Sequence, residues 1–436
     1  MAEKIFERIE EKIRALSPAG FELTEVREEG WEFYFIRHAL DQNRVTDVTK
    51  YQVKLFKTIE GGFLGSASGE IVPTATEEEI DAKLAMIYTQ AGFIRNPYYE
   101  LNQPAENADA QGKTEENAID VAGIAANFLK AVHAVPETAA ADINSYELFV
   151  KKITRHFKNS NGVEYTAVYP SSMLEVVVNA RKEGHEIELY RMYTSGGCDA
   201  ESLRQQIMET LQYGVDRLKA EPTPNLKYGD VVFSTDDALS IYRFFLMRTN
   251  AAMKVRRISS WEKGQKVTER KGGDPVTVRA VRELPNSSRN MPFDDEGAPV
   301  REMDVIRDDV CMNFWGNEQF SYYLNRKAGE SFNILNAVVD GGSRSAEEVR
   351  SGDYIEVVEF SDFQVDPIAG DIAGEIRLGY LHRNGEVTIV TGGSITGSME
   401  EARSTMEFSS EQRQYDNMLI PAVTKLKDLR ITGIEE

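Results

Sequence analysis

Apolar residues set the reading frame of this chain. Ile5, Phe6, Ile9, Ile13 and Leu16 recur at helical spacing, and Ser17-Pro18-Ala19-Gly20 ends the helix they predict. From Phe21 to Val72 the period changes to two, as in Trp31-Glu32-Phe33-Tyr34-Phe35 and Tyr51-Gln52-Val53-Lys54-Leu55, which predicts an antiparallel meander. Its turn and last strand, Gly61 to Gly69, are rich in small residues that allow close approach of another backbone or a partner. Thr76 and Glu79 form a capping box before a helix with Ile80, Leu84, Ile87 and Ala91 on one face. Residues 96–116 have the polar composition of an exposed connection.

The order then repeats. A helix carrying Ala118, Val121, Ala125, Phe128, Leu129 and Val132 precedes alternating segments near 146–157, 163–169, 173–180 and 185–193, and a helix follows over about 199–219. Helix, meander, helix, twice over, predicts an α+β N-terminal domain at residues 1–221. Pro222-Thr223-Pro224 denies helix and sheet continuation, so it is the expected boundary. Residues 222–436 then predict a mainly β C-terminal domain. Its strands lie near Asp230–Phe233, Val276–Val281, Tyr354–Phe360, Glu375–Tyr380 and Glu386–Val390, with an Asn384-Gly385 hairpin and helices near 236–250 and 411–418.

Composition narrows the function classes. The 436 residues are 41% hydrophobic, enough for two cores, and 50 basic against 71 acidic residues give a net charge of −21. Such a field opposes direct nucleic-acid binding. Met1–Ile13 reads as an acidic amphipathic helix rather than a secretion signal, and no window approaches eighteen consecutive apolar residues, so no membrane span is expected. Cys198 and Cys311 form no metal or redox pair motif, and a reducing cytoplasm is the expected setting.

One stretch stands apart from these elements. Pro292-Phe293-Asp294-Asp295-Glu296-Gly297-Ala298-Pro299-Val300-Arg301 puts three carboxylates between an aromatic residue and a Gly-x-Pro turn. On residue chemistry alone it is either a solvated acidic turn or a functional loop. The string resembles the FDDEGxP signature of the TldD/PmbA family, proteins named for a proposed modulation of DNA gyrase. A second series resembles the family's C-terminal progression: Ala373-Gly374-Glu375, Leu378-Gly379-Tyr380-Leu381, Arg383-Asn384-Gly385-Glu386, and Thr391-Gly392-Gly393-Ser394-Ile395-Thr396-Gly397-Ser398. It departs from that pattern at Glu375, Arg383 and Ser398.

The resemblance implies a zinc metallopeptidase fold in which one helix carries HExxxH and a late cysteine completes the metal site. Zinc needs such imidazole or thiolate donors and an open position that lowers the pKa of water. The corresponding helix here, DDALSIYRFFLMRTN at 236–250, has no His, Cys or Glu, and no Cys follows Cys311. Zinc is therefore expected only in a homologous partner, and no metal site in this chain. The implied role is that of a PmbA (TldE)-like subunit, dimeric with a TldD-type homologue or with itself, acting on peptides or unfolded proteins. Asp294, Asp295, Glu296, Gly297, Gly374, Glu375 and Gly397 are the residues expected at a cleft or substrate contact, or in structural support of one. Two other classes stay open: a homodimer that binds a peptide or ligand without catalysis, and a peptidase using Cys198 or the acidic triplet, the latter an acid-only site of the kind that prefers a hard ion such as Mg²⁺ or Ca²⁺.

The remaining candidates are sparse. His38, His133, His156, His185 and His382 are the only histidines, and His185-Glu186 lies in a predicted strand, where neighbours face opposite sides. His382 is either a solvated hairpin residue or a cleft residue, Cys198 either a turn residue or a thiol nucleophile, and Cys311 reads as core. Between Arg248 and Arg282 ten basic residues face three acids. That run is either a solvated face or a surface for an acidic partner or a peptide carboxylate.

Overall fold

The computed structural model describes residues 2–104 and 119–434, so Ala118 and the centre of the expected connection at 96–116 lie outside the described residues. The first half runs α1 (Ala2–Ala15), β1 (Gly20–Ile36), β2 (Ala39–Ile59), β3 (Phe63–Ile71), α2 (Glu77–Ala91) and the short β4 (Asn96–Pro97). It continues with α3 (Val121–His133), β5 (Ala141–Asn159), β6 (Glu164–Lys182), β7 (His185–Ser195) and α4 (Ala200–Arg217). All seven strands join one antiparallel sheet in the order β4-β3-β2-β1-β5-β6-β7, with β1 against β5 uniting the two meanders. Ile80, Leu84, Ile87 and Ala91 of α2 are buried, and Thr76 and Glu79 form both halves of the capping box. They meet Ile9 and Ile13 of α1 over Leu23, Val53 and Leu55 of the sheet. A second core lies under α3 and α4, around Phe128, Leu148, Leu174 and Ile207.

Two sequence expectations fail in instructive ways. Segments 163–169 and 173–180 are one strand, β6, running through Pro170. β7 pairs with β6 only from Ser172 onward, so Pro170 has β5 on one side and an open edge on the other, where a missing N–H is tolerated. The helix expected at 411–418 is a hairpin, Gln412–Tyr415 against Met418–Pro421, turning at Asp416 with φ +46° and Asn417. Asp-Asn is turn chemistry that a helical reading of Glu411 to Met418 overlooks.

The second half builds two sheets. Strands Tyr354–Val365, Lys227–Phe233, Thr424–Thr432, Ser394–Ser398 and Asp371–Arg383 pair in that order, and the last pairs back to the first, closing a five-strand ring. Asn384 and Gly385, both at positive φ, turn the chain from Asp371–Arg383 into Glu386–Thr391. A six-stranded sheet of short strands includes Val278–Val281, Asn336–Val339 and the 412–421 hairpin. Between them lies α5 (Ala238–Arg248), with Leu239, Ile241, Tyr242, Phe244, Phe245 and Leu246 buried in the largest core. Thr223, fully buried, donates from its backbone N–H to the Thr391 carbonyl at 3.0 Å, so the Pro222-Thr223-Pro224 segment is stitched to this half.

Candidate functional site

The acidic loop is built as a clasp between the two halves. Asp294, 3% exposed, accepts at Oδ1 from the N–H groups of Glu296 and Ala298, both at 2.9 Å, and at Oδ2 from Asn333 Nδ2 at 2.7 Å. Its own carbonyl accepts from the Tyr165 hydroxyl at 2.6 Å. Burial, then the charge of Glu296, pushes its carboxyl up to about 6 against those donors. Asp295 points outward and pairs with Arg155 at 2.6 Å. Glu296 accepts from the Glu318 N–H at 2.9 Å and lies 3.5 Å from Lys54 Nζ, which also pairs with Glu22 at 3.2 Å. Phe293 stacks on Tyr165 with ring centroids 4.2 Å apart, above Phe157. Gly297 has φ +80°, and a Cβ there would sit 2.6 Å from Phe157 Cε1.

Buried behind this clasp is Glu318. Its Oε2 accepts from Ser331 Oγ at 2.5 Å, and its buried Oε1 has no well-formed hydrogen bond among the described residues. Burial pushes its carboxyl up to about 7, opposed by the Ser331 hydrogen bond and aided by the charge of Glu296. Burial likewise raises Glu22 to about 7.

The glycine-rich series serves packing. A Cβ on Gly374 would meet Phe360 and Phe363 at 2.8 Å, and one on Gly397 would collide with Leu429. Glu375 is exposed and accepts from Ser361 Oγ at 2.7 Å. None of the seven residues selected from the sequence lines the cavity found between the halves.

That cavity, of about 500 Å³, lies where the two halves face each other. β7 and α4 form one wall; the start of α5, Asn286 and the 412–421 hairpin form the other. The turn at Gly196-Gly197 docks the walls, both N–H groups donating to the Asn286 carbonyl, at 2.7 and 3.3 Å. Tyr193, Tyr213 and Tyr415 contribute aromatic surface. Arg191 is held bidentate by Glu359, and Arg413 pairs with Glu209 at 3.0 Å. α5 is buried on nearly every side, and the strip it leaves uncovered is Ser240, Arg243 and Met247, preceded by Asp236. Asp236, Ser240 and Arg243 face the cavity. Beside them, burial and the neighbouring Asp236 charge push Asp237 up to about 7.

These donors do not fit a zinc ion. α5 and the turn before it offer the cavity the adjacent Asp236 and Asp237 carboxylates, a hydroxyl and a guanidinium; that set has no imidazole or thiolate, and an always-charged cation repels a metal. Among the described residues no group of three His, Cys, Asp or Glu side chains is placed to hold a metal ion. Of the five histidines only His38 and His133 are neighbours among the described residues. His133 Nε2 lies 2.8 Å from the Tyr146 hydroxyl with the His38 ring beside it, His156 stacks on Phe6, and His382 stacks on Tyr354. His185 is exposed at the start of β7.

Cys198 does line the cavity, but burial, with Asp199 adding, pushes its thiol up to about 12. A nucleophilic cysteine needs the opposite shift. Alkylation of Cys198 by iodoacetamide at pH 7.5 should therefore run at least about tenfold slower in the native chain than in urea. Peptide mass spectrometry of timed aliquots checks this; equal rates would restore the thiol as a candidate nucleophile. Cys311 is fully buried.

Half of the basic run at 248–282, five of its ten residues, is paired with carboxylates of the chain. Arg248 pairs with Glu400, Lys254 with Glu262, Lys266 with Glu269, Arg270 with Asp309 and Arg279 with Asp340. The cavity residues Arg191, Tyr193, Tyr213, Arg243, Arg413 and Tyr415 were not singled out by sequence, because they come from separate segments with no shared spacing. A lone signal was available: Arg243 interrupts the otherwise apolar Ile241-Tyr242…Phe244-Phe245 run.

Residues 226–433 match the family described as PmbA/TldA metallopeptidase C-terminal domain. No curated protein matches the chain. Three solved structures share its fold over nearly the full length. A candidate modulator of a DNA gyrase from Thermotoga maritima has a TM-score of 0.76 at 15% identity, covering 98% of this chain and 100% of the other. TldE from Thermococcus kodakarensis gives 0.75 at 16%, covering 99% and 100%. A candidate modulator of DNA gyrase from Bacteroides thetaiotaomicron gives 0.77 at 13%, covering 99% of each.

Proposed function

From the premise that this chain belongs, through residues 226–433, to the TldD/PmbA family, we propose that it is a non-catalytic subunit of a peptide-processing assembly. It pairs with a zinc-bearing TldD-type homologue and contributes the cavity between its halves to the chamber that receives peptide. The observation carrying this reading is α5. The helix that the resemblance equates with HExxxH faces the cavity with Ser240 and Arg243, a donor set suited to holding polar substrate groups and unsuited to zinc.

In this reading residues 1–221 and 222–436 are the two domains. Asp294, Asp295, Glu296 and Gly297 clasp them, while Gly374, Glu375 and Gly397 permit close strand packing, so these residues act through structure rather than at the reacting bond. Two free cysteines suit a cytoplasmic setting. With a net charge of −21, an effect on gyrase would be exerted without DNA contact. Native mass spectrometry of the chain mixed with an HExxxH-bearing homologue from the same source should show an equimolar complex. A lone homodimer that never exchanges with the homologue would point instead to a free-standing binding protein.

A further inference from the structure

We propose that the cavity recognises short free peptides by both charged ends, with Arg243 taking the terminal carboxylate and Asp236 the terminal ammonium. This rests on reading the cavity as a peptide chamber and specifies which peptides it admits: free di- or tripeptides rather than internal segments of long chains.

The first observation is the state of the three cavity arginines. Arg191 and Arg413 are each neutralised by a carboxylate of the chain itself. Arg243 is exposed into the cavity, and no hydrogen bond or ion pair among the described residues reaches its side chain. It is the cavity arginine with its forked donors unspent, and that planar fork matches a carboxylate bidentately.

The second observation is Asp236. Its side chain is also exposed, lines the same cavity, and has no hydrogen-bond or ion-pair partner among the described residues. Asp236 and Arg243 do not neutralise each other. Asp236 lies in the turn just before α5 and Arg243 follows seven positions on, so at helical pitch they are separated by about 10 Å along the axis. Three extended residues span about 10 Å. A zwitterionic tripeptide laid along α5 therefore places an ammonium near Asp236 and a carboxylate near Arg243, with the Ser240 hydroxyl between them for the backbone. Tyr193 and Tyr213 on the opposite wall, with Tyr415 of the hairpin on the α5 side, offer surface for the peptide's side chains, and a cavity of about 500 Å³ suits a ligand of this size. A capped or internal segment leaves one of these two cavity charges without its charge-assisted partner and so forfeits that contact.

The test uses isothermal titration of the full chain with the tripeptide Ala-Leu-Ala, its C-terminal amide and its N-acetyl form. The free peptide should bind, and each capped form at least about tenfold more weakly. Arg243→Gln should weaken the free peptide and abolish its advantage over the amide while keeping its advantage over the acetyl form. Asp236→Asn should do the reverse. The ligand-side comparison is made on the unaltered protein, so it does not depend on either variant folding. No binding of the free peptide, equal binding of free and capped forms, or an undiminished preference for the free carboxylate in a folded Arg243→Gln chain would each overturn the proposal. Failure of the subunit reading is separately visible: cleavage of Ala-Leu-Ala by the lone chain contradicts the non-catalytic role whatever the order of affinities.

Discussion

Replacing Gly297 by alanine should cost about 3 kcal/mol or more of stability, the largest loss expected from any single methyl added to the acidic loop. Two effects add. Gly297 sits at φ +80°, where a Cβ meets the following carbonyl and costs about 1–2 kcal/mol. The new carbon would also lie 2.6 Å from Phe157 Cε1 and 2.9 Å from Val163 Cγ1. Phe157 is fully buried and stacked against Tyr165, which is stacked against Phe293, so it has no room to retreat, and overpacking of this kind costs a further 1–3 kcal/mol, roughly. Asp295→Ala provides the contrast. That side chain is 61% exposed, and its pair with Arg155 should be worth less than about 1 kcal/mol. Urea midpoints of the two variants against the parent chain decide the matter. Similar small losses would mean that the loop is a solvated turn and not a clasp.

Replacing Glu318 by glutamine should stabilise the chain at pH 8, by about 1–3 kcal/mol, and change it little at pH 4.5. A raised carboxylate means the folded state keeps a proton that the unfolded state has released. Its contribution is therefore fully present below the ordinary glutamate value of 4.5 and is lost as pH rises through about 7. Asp294, at about 6, and Glu22, at about 7, act in the same direction, so the junction between the halves should weaken from mildly acidic to neutral pH. Glutamine keeps an acceptor for Ser331 and removes the charge at the buried Oε1, which has no well-formed hydrogen bond among the described residues. Urea denaturation of both chains at the two pH values gives the answer. Destabilisation by the substitution at pH 8 would show that the ionised carboxylate is held by compensation absent from these contacts.

Where local chemistry was strong, the fold could be read from sequence. The buried faces of α1 and α2, the Thr76–Glu79 capping box and the Asn384-Gly385 turn all follow from patterns contained within a few residues. Pro170 and the 412–421 hairpin resisted, because a sheet edge decides whether a strand proline is tolerated and a tertiary hairpin overrode a weak helical pattern. The closing of the five-strand ring depends on pairing between residues far apart in sequence, such as Ile355 with Val231, and leaves no local trace. The acidic loop announced itself by its unusual composition, yet that composition serves a junction: Asp294 spends its oxygens on the loop's own N–H groups and on Asn333. The cavity was silent in sequence because its arginines and tyrosines converge from β7, α4, α5 and the 412–421 hairpin, and only the folded chain brings them together.

The most direct measurement is zinc content and peptide cleavage of the purified chain, alone and after mixing with an HExxxH-bearing homologue from the same source. The lone chain should hold no stoichiometric zinc and cleave nothing, and the mixture should form a stable complex that cleaves. Stoichiometric zinc in the lone chain, or cleavage by it, would contradict the assignment of a non-catalytic subunit drawn from Ser240 and Arg243 on the cavity face of α5.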